Sequence, residues 1–336
     1  MFDLFIDNLR EEIRSDFVVS EKRKSIWNVE IGLLVKLDSV CKKYNLRYWL
    51  DGGSLLGAVR HHGFIPWDDD IDIVMPRKDY DKLSSIAKSE FCFPFFYQDI
   101  YAENNYPGIH AKLRDCRTTA IAKNWLFNDI CQGIFIDIFP MDGVPQDRSE
   151  FDMLANIAYQ KSKSIRFYYE YERILSLNPR IRKLLNSRKY KARKIVGDGK
   201  DYVSAFQEYE NMFKVYDYDK SQQVGPIAFT LETKRQIAFD HKLYDETIFV
   251  SFESINVPIP VGFDSILKTY YGEDYFSPHK GSLFNTTFYF DPYSPYKKHI
   301  VQLRKEYSFI NRCKKALFSF FKKECMSEYE KDLLIY

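Results

Sequence analysis

"DGGSLLGAVRHHGFIPWDDDIDIVMP", residues 51–76, crowds four aspartates into positions 68–72 immediately before an apolar run. The alternation Asp70-Ile71-Asp72-Ile73 has the period of a strand. It predicts that both carboxylates project from one face while the isoleucines enter the core from the other. Asp68 falls on the carboxylate side at the strand entrance, and Asp69 is expected to point away. Like charges held this close in a partly buried strand repel one another. A hard divalent cation, Mg²⁺ or Mn²⁺, removes that cost, because such ions take carboxylate oxygens together with substrate phosphates. An acidic surface turn or a set of helix caps is the alternative; it is the first explanation of a bare Asp-Asp-Asp, and the Asp-Ile-Asp-Ile that follows favours the metal site over it.

Upstream, 46–50 reads as a short strand, Gly52 and Gly53 as a turn, and Ser54 as the start of a helix. Glycines allow close backbone approach, and the free N–H groups of a helix start can hold a phosphate. Arg60, farther along that helix, is a candidate counter-charge for the same phosphate, or else a surface residue. Pro76 ends the strand, and a polar helix runs from Arg77 to about Lys88.

Downstream, "GIFIDIFPMDGV", residues 133–144, buries Asp137 between Ile136 and Ile138. An ionised aspartate in such a strand needs a metal, a hydrogen bond or a cationic partner. Asp137 is therefore a third candidate metal ligand, a general base for an attacking hydroxyl, a hydrogen-bonded buried acid or a partner for Arg114. Asp142 reads as part of a turn between Pro140 and Pro145. "HAKLRDCRTTAIAKN", residues 110–124, reads as one strand with Lys112 and Arg114 on a shared face, able to neutralise phosphate charge or simply exposed. His61, His62 and His110 lack metal-ligand spacing and read as structural.

Around this region, "KRKSIWNVEIGLLVKLDSVCKKYN", residues 22–45, places Ile26, Val29, Leu33, Leu37 and Val40 on one helix face. Residues 161–200 hold 13 Lys/Arg against 3 Asp/Glu and read as helical, as do 201–216. "FVSFESINVPIPVGFDSILKTYYGEDYFSPH", from 249, reads as strand, loop, short helix and loop. The chain has 336 residues and 45% apolar composition, ample for a large core, and its net charge of +2 excludes a general nucleic-acid binder. Six scattered cysteines give no zinc or disulfide pattern and suit a reducing compartment. The acidic N-terminus is not a signal peptide, no stretch reaches membrane-span length, and the sequon at Asn285 carries no weight. The expected fold is α+β with an α/β core. It divides into a catalytic core with its N-terminal helix (1–150), a helical and mixed region on the acceptor side (151–298), and a basic amphipathic helix (299–336).

"YWLDGGSLLGAVRHHGFIPWDDDIDIVMPRKDYDKL" strongly resembles the LicD family of phosphotransferases, which includes fukutin-related proteins. "KLRDCRTTAI", "GIFIDIFPMDGVP" and "VPIPVGFDSILKTYYGEDY" resemble its later blocks in the same order. The resemblance covers roughly 28–280. It implies a nucleotidyltransferase-like mixed sheet and metal-dependent transfer of a substituted phosphate from a CDP-activated donor to a glycan hydroxyl, with CMP released. The first candidate is phosphocholine moved to lipopolysaccharide, teichoic acid or capsule. CDP-ribitol, CDP-glycerol and CDP-ethanolamine are alternative donors, and a small-molecule nucleotidyltransferase is the alternative activity. By the resemblance Asp70 and Asp72 take the metal-ligand positions, Asp68 the adjacent acidic position, and Gly52, Gly53 and Ser54 the donor-phosphate loop. The family's animal zinc cluster and signal anchor have no counterpart here, which points to a bacterial cytoplasmic enzyme. A quaternary ammonium group would need aromatic faces, for which Trp67, Tyr106 and Tyr289 are candidates. In the tail, Leu317, Phe318, Phe320 and Phe321 between lysine pairs fit a peripheral contact with the inner face of a membrane carrying a lipid-linked acceptor, or docking onto the protein itself.

Overall fold

The computed structural model describes residues 5–6, 8–104, 106–177, 202–228, 237–277 and 288–307, with only the backbone described over 166–177. The basic stretch 178–200, Asn285 and the apolar tail residues 317–321 lie outside the described residues.

In chain order the elements are the hairpin β1 (Glu12–Arg14) and β2 (Phe17–Val19), α1 (Glu21–Tyr44), β3 (Trp49–Leu50), α2 (Gly52–His61), β4 (Asp72–Pro76), α3 (Arg77–Glu90), β5 (Phe95–Gln98), β6 (Ala111–Asp115), β7 (Thr119–Ala122) and β8 (Ile134–Val144). The second half adds α4 (Arg148–Leu177), α5 (Tyr202–Lys214), β9 (Gln223–Gly225), β10 (Phe239–Asp240), β11 (Thr247–Phe252), β12 (Ile255–Pro260), α6 (Phe263–Tyr271), β13 (Phe288–Asp291) and α7 (Tyr296–Glu306). The mixture of helices with parallel and antiparallel strands is the α+β class expected.

The seven-stranded sheet is centred on β8. β4 runs parallel to it, while β6 and β9 pair antiparallel along its other edge, one after the other. β3 lies beyond β4 and β5 beyond β6. The α1 face read from the sequence is buried: Ile26, Val29, Leu33, Leu37 and Val40 are each at most 5% exposed. Ser20 caps the helix by accepting the Arg23 N–H, and left-handed Asn45 closes it.

Several expectations are corrected. β8 does not turn at Pro140 but continues to Val144. Asp137 N–H bonds Ile71 C=O toward β4, so by alternation the position of Pro140 faces the opposite edge. There β6 has ended at the partner of Ile138, and β9 begins only at the partner of Asp142. The missing N–H therefore falls in a gap of the ladder. Asp142 is a fully buried strand residue, gripped by Arg77 through two bonds of 2.7 Å, and Arg77 also holds Glu210. The single strand expected over 110–124 breaks at the Asp115–Thr118 turn into β6 and β7. The region from 247 is a hairpin, turned tightly at Glu253 with φ 49°. Cys116 and Cys131, unpaired in the sequence reading, place their sulfurs 3.2 Å apart as free thiols. No described helix is long and apolar enough to cross a membrane.

Candidate functional site

Parallel pairing of β4 with β8 sets Asp72 directly opposite Asp137. β6 then sets Lys112 opposite Asp137 from the other side. Three chain segments far apart in sequence thus put two carboxylates and an ammonium on one sheet face. Asp70 lies just before β4 rather than inside it, yet its carboxylate joins the group. One oxygen from each of Asp70, Asp72 and Asp137 falls within 4.8 Å of the others, and the same holds for Asp68, Asp69 and Asp70. Asp69, expected to point away, is buried and belongs to the second set.

The backbone around the aspartates is held from three directions. Asp68 C=O accepts Arg23 Nη1 (2.6 Å) and Trp27 Nε1 (3.0 Å), both from the buried face of α1. Ser54 Oγ accepts the Asp72 N–H (2.9 Å) and donates to Asp70 C=O (3.5 Å). The serine expected to touch donor phosphate thus engages the backbone that carries the carboxylates. Asp51 N–H bonds Asp72 C=O at 3.0 Å.

The glycine pair has a steric reason. Gly52 has φ +52°, and an added Cβ would sit 3.6 Å from Asp72 Oδ2. A Cβ on Gly53 would lie 2.6 Å from Asp68 Oδ2, closer than contact allows. The start of α2 therefore lies directly against the carboxylates, leaving its first N–H groups close to them.

Electrostatics divides the aspartates into two kinds. Burial first, then the neighbouring carboxylates, pushes Asp70 and Asp72 well above the usual carboxylate range. Burial likewise raises Asp68. Asp137 goes the other way: burial opposes its charge, but Lys112 and His110 outweigh that and hold it below the usual range. Lys112 Nζ and His110 Nε2 (2.7 Å) both donate to its Oδ1. His110 was expected to be structural, but its ring touches the site and lies tilted against Phe139, with ring centres 4.2 Å apart.

The other predicted residues are placed less centrally. Arg114 shares the face of Lys112, but it is fully buried and bonds Gln98 and Gly133 C=O, which anchors the start of β8. Arg60 donates to Tyr275 C=O (2.7 Å) and to His61 Nε2 (3.0 Å), tying α2 to the segment after α6. Tyr106 is fully buried against Trp125, Trp67 lies edge-on to His61, and Tyr289 lies beside His299.

The sequence reading missed Asp51. Burial pushes it up to about 6, and it accepts a bond from Tyr270 OH (3.1 Å). The next residue, Tyr271, brings its OH to 4.0 Å from where a Gly52 Cβ would stand. An aspartate before Gly-Gly at a strand end was a readable cue. The tyrosines, 219 positions away in the case of Tyr270, were not.

A hard cation fits these residues. The donor set is all oxygen, and no lysine or arginine forms an ion pair with Asp70 or Asp72 among the described residues. With all three ionised, Asp70, Asp72 and Asp137 would carry three negative charges against the one of Lys112, an excess of two that a divalent cation balances.

Residues 45–175, which include every candidate aspartate and the Gly-Gly turn, match the family model described as LicD/FKTN/FKRP, nucleotidyltransferase domain. Lipopolysaccharide cholinephosphotransferase LicD of Haemophilus influenzae is 38% identical over 120 residues, 35% of this chain and 43% of that protein. Residues 45–175 are thus similar to the LicD family. Ribitol 5-phosphate transferase FKRP of Homo sapiens is 43% identical over 51 residues, 15% of this chain and 10% of that protein. These matches span less than half the length of either relative. Around the matched segment, the chain adds Arg23 and Trp27 from α1 and Tyr270 and Tyr271 from α6.

Proposed function

We propose that the chain is a divalent-cation-dependent phosphotransferase that moves a substituted phosphate from a CDP-activated donor to a glycan hydroxyl. Phosphocholine from CDP-choline is the first candidate, because the cholinephosphotransferase LicD is the relative with the longer match of the two above. The observation that carries the reading is the uncompensated carboxylate group of β4 and β8 lying against the Gly52–Gly53 turn.

Asp70, Asp72 and Asp137, with Asp68 at the entrance, would hold Mg²⁺ or Mn²⁺. When bound, the ion supplies charge neutralisation for a diphosphate and makes its phosphorus more electrophilic. The glycine turn lets the diphosphate approach the backbone N–H groups of α2 without meeting side chains. Lys112 holds Asp137 ionised and fixed through Oδ1. The second oxygen has no protein partner among the described residues, and it accepts the hydrogen bond of the acceptor hydroxyl. The hydroxyl oxygen bonds the distal phosphorus, and its proton passes toward Asp137. The bond from that phosphorus to the bridging oxygen breaks, and CMP leaves with the electron pair. Positioning and charge placement do most of the work in such transfers. A CDP donor and a lipid-linked acceptor suit action at the cytoplasmic face of a bacterial membrane.

The test is CMP release by the full chain with Mg²⁺ and CDP-choline, CDP-ethanolamine, CDP-glycerol or CDP-ribitol, each with lipopolysaccharide or teichoic acid. Release with one donor, abolished by EDTA and by Asp72→Asn, supports the reading. No release with any donor overturns it. The family description, a nucleotidyltransferase domain, favours one second reading, attack at the proximal phosphorus. That reaction would leave CMP attached to the acceptor and free the phosphorylated head group, a product mass spectrometry separates.

A further inference from the structure

His110 belongs to two places at once. Its Nε2 lies 2.7 Å from Asp137, and the residue also lines a cavity of about 320 Å³ between α3, α5 and the 99–110 segment. That volume is in the range that accommodates a small organic ligand. The walls are firmly built. Asp99 accepts the N–H groups of Tyr101 and Ala102 and the hydroxyl of Ser84, and Tyr106 OH bonds His110 C=O at 3.0 Å.

The cations near this cavity are already paired within the protein, while Asp99 is held by hydrogen bonds alone. Asp81 pairs with Lys214 (3.1 Å), and Glu210 pairs with Arg77 (2.8 Å) and accepts Tyr101 OH. The one lysine of the lining is paired and the carboxylates outnumber it, so no free cation is left to hold a diphosphate there. The other polar groups are uncharged. Gln207 and Asn211, one turn apart on α5, present amides that bond no other described residue, and Ser85 faces them from α3. The rings of Tyr80 and Phe206 supply apolar surface. Amides and hydroxyls beside aromatic rings suit a polyhydroxyl ring, whose edges need hydrogen bonds and whose faces need apolar contact.

We propose that this cavity is the acceptor subsite and takes a neutral pyranose unit, whose reacting hydroxyl passes the edge of His110 to reach Asp137. This rests on the phosphotransfer reading above for its role, although the binding itself does not. Gln207, Asn211 and Ser85 set acceptor recognition; the donor phosphates and their cation are handled elsewhere, at the carboxylates.

Two measurements on the full chain test it. Saturation-transfer NMR with the methyl glycosides of glucose, galactose and N-acetylglucosamine is expected to show binding of at least one. Asn211→Trp, which fills the cavity from an exposed position, is expected to abolish it, and Gln207→Ala to weaken it about tenfold. With a CDP donor that releases CMP, the same variants are expected to raise the acceptor KM at least tenfold and the donor KM less than twofold. Silence of all three glycosides with the wild-type chain, survival of binding in Asn211→Trp, or a rise in donor KM instead each overturns the proposal. If no donor releases CMP, the phosphotransfer reading fails, and the NMR result alone still decides whether the cavity binds a pyranose.

Discussion

Two substitutions that each remove one negative charge from the same cluster are expected to change stability in opposite directions. In Asp72→Asn the lost charge faced Asp70 and Asp137, with ligand oxygens no more than 4.8 Å apart. At an effective dielectric of about 20, each such pair costs about 3.5 kcal/mol, so removing Asp72 relieves about 7 kcal/mol of gross repulsion. Proton uptake by the raised Asp70 and Asp72 already relieves much of this in the wild type, so the realised gain is a small part of that sum. Asp137→Asn relieves the same repulsion but also leaves the buried Lys112 ammonium unpaired, which costs about 3–5 kcal/mol and outweighs the relief. Thermal unfolding in EDTA near pH 7.5 is the assay: Asp72→Asn is expected to melt a few degrees higher than wild type, and Asp137→Asn clearly lower. Addition of Mg²⁺ should raise the wild-type Tm and leave that of Asp72→Asn almost unmoved, since a ligand stabilises only the state it binds. A fall in Tm for both variants without metal would refute the charge argument. A full Mg²⁺ response in Asp72→Asn would refute the metal site.

The same cluster makes stability depend on pH. Folded Asp70 and Asp72 keep their protons to higher pH than the unfolded chain does, so their contribution is complete below the usual carboxylate range and is lost as pH rises through the raised values. In EDTA, the Tm difference between wild type and Asp72→Asn should therefore widen from pH 4 to pH 8; a constant difference would contradict this. Gly53→Ala would drive a methyl to 2.6 Å from Asp68 Oδ2, which can swing aside. Expected is a loss of CMP release of at least tenfold with a Tm within a few degrees of wild type, and full activity would show that the turn is not part of the site. Arg77→Met strands the fully buried Asp142 and should cost about 3–5 kcal/mol in denaturant unfolding, a loss under about 1 kcal/mol counting against the pairing. Oxidised glutathione should join Cys116 to Cys131, whose sulfurs need to close by only about 1 Å to bond; peptide mapping that finds glutathione on Cys116 and no link would disprove the contact.

Features set by local periodicity were legible in the sequence. The buried face of α1 and the burial of Ile71 and Ile73 follow from spacing and are found in the structure, although Asp70 falls just before β4 and only Asp72 within it. The resemblance marked the Gly52–Gly53 pair, and burial in an apolar run marked Asp137. Features that depend on which strand lies beside which were not legible. The same rule that marked Asp137, an acid in an apolar run needing a partner, applied equally to Asp142. The flanking prolines suggested a turn instead, and the partner, Arg77, sits 65 positions away. Pro140 in mid-strand is intelligible only once the gap between β6 and β9 is known. His110 and Lys112 differ in the same way. A lysine two positions from an arginine suggested a basic strand face, whereas an isolated histidine gave no periodic signal until β6 was set against β8.

The charge count across the sheet explains why this arrangement is stable enough to exist. Lys112 neutralises Asp137 through a contact that both strands enforce by register, so one carboxylate of the three is fixed in place and ionised. The remaining two belong to the β4 side, where burial and mutual repulsion push both above the usual range. Two uncompensated charges match one divalent ion. A second lysine would satisfy the fold and leave little for a metal to bind, and no lysine at all would free Asp137 to rotate or take up a proton. Under the proposed function a single ammonium on the β6 side would divide the work: it would hold Asp137 ionised for an acceptor hydroxyl and leave Asp70 and Asp72 with an excess of negative charge for a cation to relieve.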